Sequence, residues 1–223
     1  MATMKTISQS KFNARKANAI ANELVRKEIN LSEFTVINNE TIQIDGKSIH
    51  LNSHAFAKLL SRLRIPKAFA NRFMDQFGPN GLSQLVQMMK TAKASKNDQT
   101  ITLLVNPNTK EVIDVLPQGY ASISNESFVN FAERYIDNYN LNVTQFGSDS
   151  NGGVSINCVA PNTIFKIPGM ETEVFNSGVT FTNSPTRGLE VSPYLSRLIC
   201  SNGMSSTAFS ENFGLHTFSD KNI

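Results

Sequence analysis

Residues Asn125 to Tyr139 form the stretch that most narrows what this chain can fold into. Phe128, Phe131, Ala132, Tyr135, Ile136 and Tyr139 fall at i, i+3, i+4, i+7, i+8 and i+11, which places them on one face of an α-helix, and Ser124 stands where an N-cap belongs. The segments on either side alternate with period two instead. Thr100 to Val105 and Glu111 to Leu116 flank Asn106-Pro107-Asn108-Thr109, and Asn142 to Phe146 and Val154 to Ala160 flank SDSNGG, so each pair reads as a β-hairpin. A helix with an apolar face between two hairpins predicts an α+β layer: one antiparallel sheet with the helix packed on it. An aromatic stripe at helical spacing is read here as packed core rather than as a base-stacking platform.

The N-terminal part is richer in helix. Phe12, Ala17, Ile20, Ala21, Leu24 and Val25 predict a first helix from about Gln9 to Glu28. Phe34 and Val36 suggest a short strand, and Ile42, Ile44, Ile49 and Leu51 alternate across Asp45-Gly46, the signature of a type I′ hairpin. Asn52 or Ser53 can cap a second helix bearing Phe56, Leu59, Leu60 and Leu63. Pro66 suits the first turn of a third, with Phe69, Phe73 and Phe77 expected inward and Gly78 ending it; Leu82, Leu85, Val86 and Met89 mark a fourth.

Charge divides the chain more sharply than its net value of +3 suggests. Residues 1–96 hold 15 Lys/Arg against 6 Asp/Glu, a balance of +9, and residues 97–223 hold 6 against 12, a balance of −6. The expected organisation is therefore a basic helical module with a hairpin over 1–96 and an α+β sheet module over 97–223, with the boundary near Ala94 to Asp98. Lys58, Arg62, Arg64, Lys67 and Arg72 crowd into fifteen residues, with Lys90, Lys93 and Lys96 following and Asp75 the one nearby carboxylate. Such an excess gains affinity for phosphate backbones by counterion release. It equally suits head-to-tail stacking of identical subunits.

Chemistry-bearing constellations are thin. The segment from Ala55 to Met74 invites a helix-turn-helix reading with Lys67, Asn71 and Arg72 as reading residues, but Arg64 occupies a turn position where such motifs commonly have glycine. His50 and His54 have a ligand-like spacing, and Cys158 and Cys200 could complete a zinc site only if the fold gathered all four. A Cys200 nucleophile with His216 as base is conceivable, yet Cys200 follows Leu198 and Ile199 as a small apolar residue would. No phosphate-binding glycine loop, paired-carboxylate pattern or dinucleotide fingerprint is present, so no catalytic residue, metal or cofactor is assigned and a non-enzymatic role is expected. Two cysteines make no disulfide framework, no apolar run spans a bilayer, and the polar, basic start lacks a secretion core; a cytoplasmic protein without a membrane partner is the expectation.

Gly178 to Met204 is the densest stretch in unusual choices. Val179 and Phe181 alternate as a strand, Asn183-Ser184-Pro185 breaks it, and Leu189 and Val191 resume it. Tyr194, Leu195, Leu198 and Ile199 then read as a helix with Gly203 as its C′ residue. The asparagine-serine pair followed by Arg197-Leu198-Ile199-Cys200-Ser201-Asn202-Gly203-Met204 resembles the phage/plasmid-like family known as domain of unknown function 932. Ile65-Pro66, and Gly119-Tyr120 ahead of a capped helix at Asn125, are also similar to that family. The turn after Asn183-Ser184 is PTRG rather than the more usual acidic-glycine form, and the chain stops soon after His216, as a short or truncated member would.

The resemblance implies a bacteriophage or plasmid setting in a bacterial host cytoplasm, and carries over no catalytic residue. With the basic cluster it leads to a nucleic-acid-binding protein, an expected homo-oligomer that holds single-stranded DNA for replication or recombination. Lys58, Arg62, Arg64, Lys67 and Arg72 form the expected phosphate track, with Lys90, Lys93, Arg187 and Arg197 as further contacts. The alternative is a phage structural, assembly or host-interaction protein that self-associates through its basic and acidic halves. The Asn183-Ser184 and Asn202-Gly203 elements read equally as turn chemistry.

Overall fold

A computed structural model describes residues 6–94, 100–120, 122–165, 175–186, 188–198, 205–210 and 213–215. The fold is α+β, with four helices and three antiparallel sheets among the described residues. The chain divides into two compact units, one drawn from Met1–Glu23 with Ser122–Thr217 and the other from Leu24–Ala121.

The second unit starts with a departure from the sequence reading. The first helix, α1, spans Gln9–Ala21 and ends seven residues earlier than expected, with Asn22 as its C-cap. Val25–Asn30 is a strand, β1, paired antiparallel along its whole length with Thr100–Val105, β5, so that Val25 faces Val105 and Asn30 faces Thr100. Leu24 and Val25 continue the helical spacing of α1, but tertiary pairing overrides that local signal. Strand β5 also pairs with Val112–Pro117, β6, in the order β1-β5-β6. The hairpin therefore closes the Leu24–Ala121 unit rather than joining the C-terminal sheet, and the boundary expected near residues 94–98 falls inside a unit.

Between these strands lie Phe34–Asn38 (β2), Thr41–Ile44 (β3) and Lys47–His50 (β4), a meander whose Asp45-Gly46 turn has both φ angles positive, as a type I′ hairpin requires. Helix α2, Ser53–Arg62, is capped by Asn52, whose Oδ1 accepts from the Ala55 N–H at 2.7 Å. Helix α3, Lys67–Ala94, breaks at Gly78 (φ 67°), with Pro79 just beyond the break. The expected third and fourth helices are both present, as the arms on either side of the non-helical Gly78. Ala55, Phe56, Leu59 and Leu60 of α2 and Ala70, Leu82 and Val86 of α3 share one core with Phe34, Ile42, Leu103 and Val115 from the two sheets. Leu24, Leu104, Ile113 and Leu116 form a separate buried cluster.

In the other unit, α4 (Asn125–Asn138) and α1 pack with a sheet ordered β11-β10-β9-β8-β7, built from Asn142–Ser148 (β7), Val154–Phe165 (β8), Phe175–Ser184 (β9), Gly188–Leu198 (β10) and Ser205–Ser210 (β11). Phe213–Leu215 (β12) pairs with β10 as well. Phe128, Val129 and Ala132 are buried with Phe146, Ile156, Cys158, Phe181 and Phe12. The segment through Tyr194 and Leu195, expected as helix, is strand: β10 pairs with β9 from Gly188↔Ser184 to Arg197↔Phe175. Ladder bonds along its length outweigh the apolar spacing that suggested a helix.

Asn183 has a structural use. It is 1% exposed, and its amide donates to the Ile123 carbonyl and to Asn125 Oδ1, both at 3.0 Å. Asn125 in turn donates to the Ala19 carbonyl at 3.1 Å, so the pair ties α1, the start of α4 and β9 together. Gly178 is equally constrained, because a Cβ there would overlap both the Tyr194 ring and the Cys158 carbonyl. Tyr194 lies opposite Gly178 across the ladder and donates its O–H to that carbonyl at 3.0 Å. An aromatic ring covering a bare strand glycine restores the packing the glycine lacks. Gly178→Ala is expected to destabilise by about 1–3 kcal/mol in urea unfolding. Adding Tyr194→Ser should recover only part of this, since the carbonyl overlap remains; full recovery would place the whole constraint on the ring.

Candidate nucleic-acid interface

The turn between α2 and α3 is closed by two hydrogen bonds, Arg64 N–H to the Ser61 carbonyl and Ile65 N–H to the Leu60 carbonyl, both 2.9 Å. This is a Schellman stop, which puts its C′ residue, here Arg64, in the left-handed region with φ 60°. Helix α4 ends with the same pair of bonds, Asn140 to Asp137 and Leu141 to Ile136, but there the left-handed residue is asparagine, φ 50°. Asparagine and glycine tolerate that conformation, whereas other L-residues pay roughly 1–2 kcal/mol for it. Arg64 sits on the surface at this strained corner, and the exposed side chains of Lys67 and Arg72 follow on the first arm of α3. None of these three makes an ion pair among the described residues. Arg62, at the last position of α2, is half-buried.

The other expected contacts are placed differently. Lys58 Nζ lies 3.1 Å from Asp114 Oδ2, and that carboxylate is 1% exposed. His54 approaches the other oxygen at 3.7 Å, and the Val115 N–H donates to it at 2.7 Å. Lys58 is thus the counter-ion of a buried charge, and truncating it would unbalance the core before it tested binding. Lys90, expected on the surface, is 6% exposed. Its ammonium donates to the Phe34 carbonyl and lies 4.4 Å from the centroid of the Phe34 ring. The helical stripe that carries Val86 inward carries Lys90 with it, so it leaves the phosphate track. Lys93 lies on α3 with its side chain outside the described residues, as does the side chain of Arg197 on β10; Arg187, Cys200, the Ser201 to Met204 element and His216 lie outside them altogether.

Three phenylalanines lie on the same arm of α3 as Lys67 and Arg72. Phe69, Phe73 and Phe77 were expected inward, yet Phe69 is 49% and Phe77 54% exposed, and Phe73 is half-buried. Ala70 and Met74, one position further round, are the residues that meet the core. The ring centroids follow one another at 5.8 and 4.6 Å. Helix α4 also departs from a purely inward stripe: Phe131, Tyr135 and Tyr139 are partly exposed. Phe131 and Tyr135, however, lean edge-on against the buried Phe181 at 6.2 and 5.4 Å, capping the sheet. A groove of about 490 Å³ beside that helix, floored by Phe12, Ile136 and Val143, is rimmed by Glu133 and Asp137 with Arg134. Its carboxylates make it a poor seat for phosphate.

The charge map changes with the fold. Lys16 of α1 donates to Glu133 of α4 at 2.6 Å and Arg15 donates to the Phe146 carbonyl, so the basic first helix belongs to the acidic sheet. Counted over the observed units, Met1–Glu23 with Ser122–Thr217 holds 8 Lys/Arg against 9 Asp/Glu, and Leu24–Ala121 holds 12 against 8. The +9 and −6 halves become −1 and +4.

Among the described residues no cluster of three His, Cys, Asp or Glu side chains could hold a metal. His50 approaches Glu111 at 3.7 Å while His54 approaches Asp114, so the two histidines serve different carboxylates. Burial pushes the Cys158 thiol up to about 12, which keeps it protonated and inert at neutral pH. No described helix is long and apolar enough to cross a membrane. No protein-family model, curated protein or solved structure matches the chain.

Desolvation holds the Lys90 ammonium below its ordinary pKa of 10.5. The unfolded chain then binds this proton more tightly than the folded one, so stability rises with pH between the lowered folded value and 10.5. Wild type should gain unfolding free energy relative to Lys90→Met as pH is raised from 7 to 10. Parallel pH profiles for the two proteins would show that Lys90 keeps an unshifted pKa.

Proposed function

We infer that this chain is a non-enzymatic protein that binds single-stranded DNA without sequence specificity, through the surface formed by the α2–α3 turn and the first arm of α3. The observation that carries the reading is Arg64: a long cation held in a left-handed turn position where the equivalent turn of α4 uses asparagine. Observed strain at an exposed charged residue is a pointer to use rather than to stability. Lys67 and Arg72 extend the charge from Arg64 along one helix, with Asp75 the single carboxylate on that arm. A basic track of this kind follows a phosphate backbone and reads no bases. The setting in phage or plasmid replication or recombination rests on the family resemblance alone.

Assembly through oppositely charged halves finds less support. The two compact units carry −1 and +4, so the large dipole along the sequence is mostly folded away within them.

Arg64→Asn separates function from fold. It relieves the left-handed strain and removes one phosphate contact, so urea stability should hold or rise while affinity for a labelled oligo-dT falls. For single strands each contact contributes about 0.7 to the slope of log K against log salt, so the variant's slope should be shallower by about that amount. Unchanged affinity and slope in a stable variant would remove Arg64 from the interface. No binding by wild type at low salt would overturn the function.

A further inference from the structure

We propose that Phe69, Phe73 and Phe77 form a base-stacking platform, which makes the surface selective for unpaired bases over duplex. The inference rests on the nucleic-acid reading above and adds to it the component that recognises bases rather than phosphates.

The three side chains are spaced i, i+4, i+8 on a straight arm, where successive rings are offset by roughly 6 Å of helix rise. Their centroid separations of 5.8 and 4.6 Å leave no slot for a base between neighbours, which needs about twice the 3.4 Å stacking distance. Bases therefore lie on the outward side of the ladder. The platform is built rather than incidental. Gly81, on the second arm of α3, is buried, and a Cβ there would collide with Phe77 Cβ and touch the Phe73 ring, so the kink at Gly78 brings a bare backbone position beneath the ladder. Ala70 and Met74 fill the adjoining core, so the phenylalanines are not needed to seal it.

Charge selects the occupant. An apolar ladder open to solvent would equally accept a hydrophobic protein surface, but Arg72, exposed and three residues on from Phe69, borders this one on the same helix. Bases on the rings and phosphates on the cations match a single strand, whose bases have free π-faces; a duplex keeps those faces inside its own stack. Two consequences follow from the chemistry: little preference among bases, and rejection of a strand that carries phosphates but no bases.

The experiment uses the full chain with two labelled strands of equal length, oligo-dT and an abasic counterpart with identical phosphates, followed by fluorescence anisotropy. Wild type should prefer oligo-dT by about tenfold or more, within the range for one or more stacked bases. Phe69→Leu with Phe77→Leu keeps apolar bulk on exposed positions and removes the π-faces; it should lose most of that preference while its salt slope stays at the wild-type value. Equal wild-type affinity for both strands, or a leucine variant that keeps the preference, overturns the platform while leaving the phosphate track standing. A leucine variant that keeps its DNA affinity but changes molar mass by light scattering assigns the ladder to contacts between copies, and also overturns it. Absence of binding to either strand is the failure of the underlying reading rather than of this one.

Discussion

The pairing of β1 with β5 decides how the rest of the chain is arranged. Six consecutive residues, Val25 to Asn30, are matched to Val105 through Thr100, and everything between them in sequence, a meander and two helices, is enclosed by that one ladder. Closing so long a loop carries an entropic cost that grows only slowly with length, and the buried apolar residues on both β5 and α2 offset it. Arg26, Lys27 and Glu28 are exposed along β1, which stands at the edge of its sheet. Charge on an edge strand discourages pairing with another chain. Because Val25 to Asn30 are taken up by this ladder, the basic α1 stops at Ala21 and belongs to the unit of the C-terminal sheet, so the charge map follows the topology.

Local patterns were legible where one residue type dictates the geometry. Asp45-Gly46 specifies its turn because both positions need positive φ, and Asn52 and Ser124 cap their helices because their side chains reach the orphan N–H groups. Gly78 ends a helical run as expected, although the chain continues as a kinked second arm. What escaped the sequence was which elements share a sheet. The Thr100–Val105 strand looks the same whether its partner is β1 or a C-terminal strand, since alternation encodes a face and not a neighbour. The Tyr194–Leu198 region failed for a related reason: a short apolar run has no period long enough to separate strand from helix, and the ladder with β9 settled it.

The candidate site divides along the same line. That Arg64 occupies a turn was legible; that its φ is 60° was not, because only the paired bonds from Ser61 and Leu60 impose it. Lys90 looked like one more surface cation, and its burial depends on the angle at which the second arm of α3 meets β2, which no local pattern encodes. The phenylalanine ladder was misassigned by a single step of helical phase. Phe69, Phe73 and Phe77 and the pair Ala70 and Met74 are stripes less than one residue's rotation apart at their nearest edges, and hydrophobicity alone ranks the phenylalanines as the inner one.

Both departures from local expectation on this surface lie within fourteen residues, from Arg64 to Phe77. The equivalent turn of α4 places Asn140 in the left-handed conformation, and the partly exposed Phe131 and Tyr135 of α4 lean on the buried Phe181, whereas Phe69 and Phe77 stack on Phe73 within their own ladder. Strain at the turn and exposure of the rings are separate costs, and neither relieves the other. Natural sequences break local rules chiefly at functional sites. The two residue classes involved are moreover the two that a single strand requires, cations for its phosphates and flat rings for its bases, so a shared ligand accounts for both departures where two unrelated accidents would otherwise be needed.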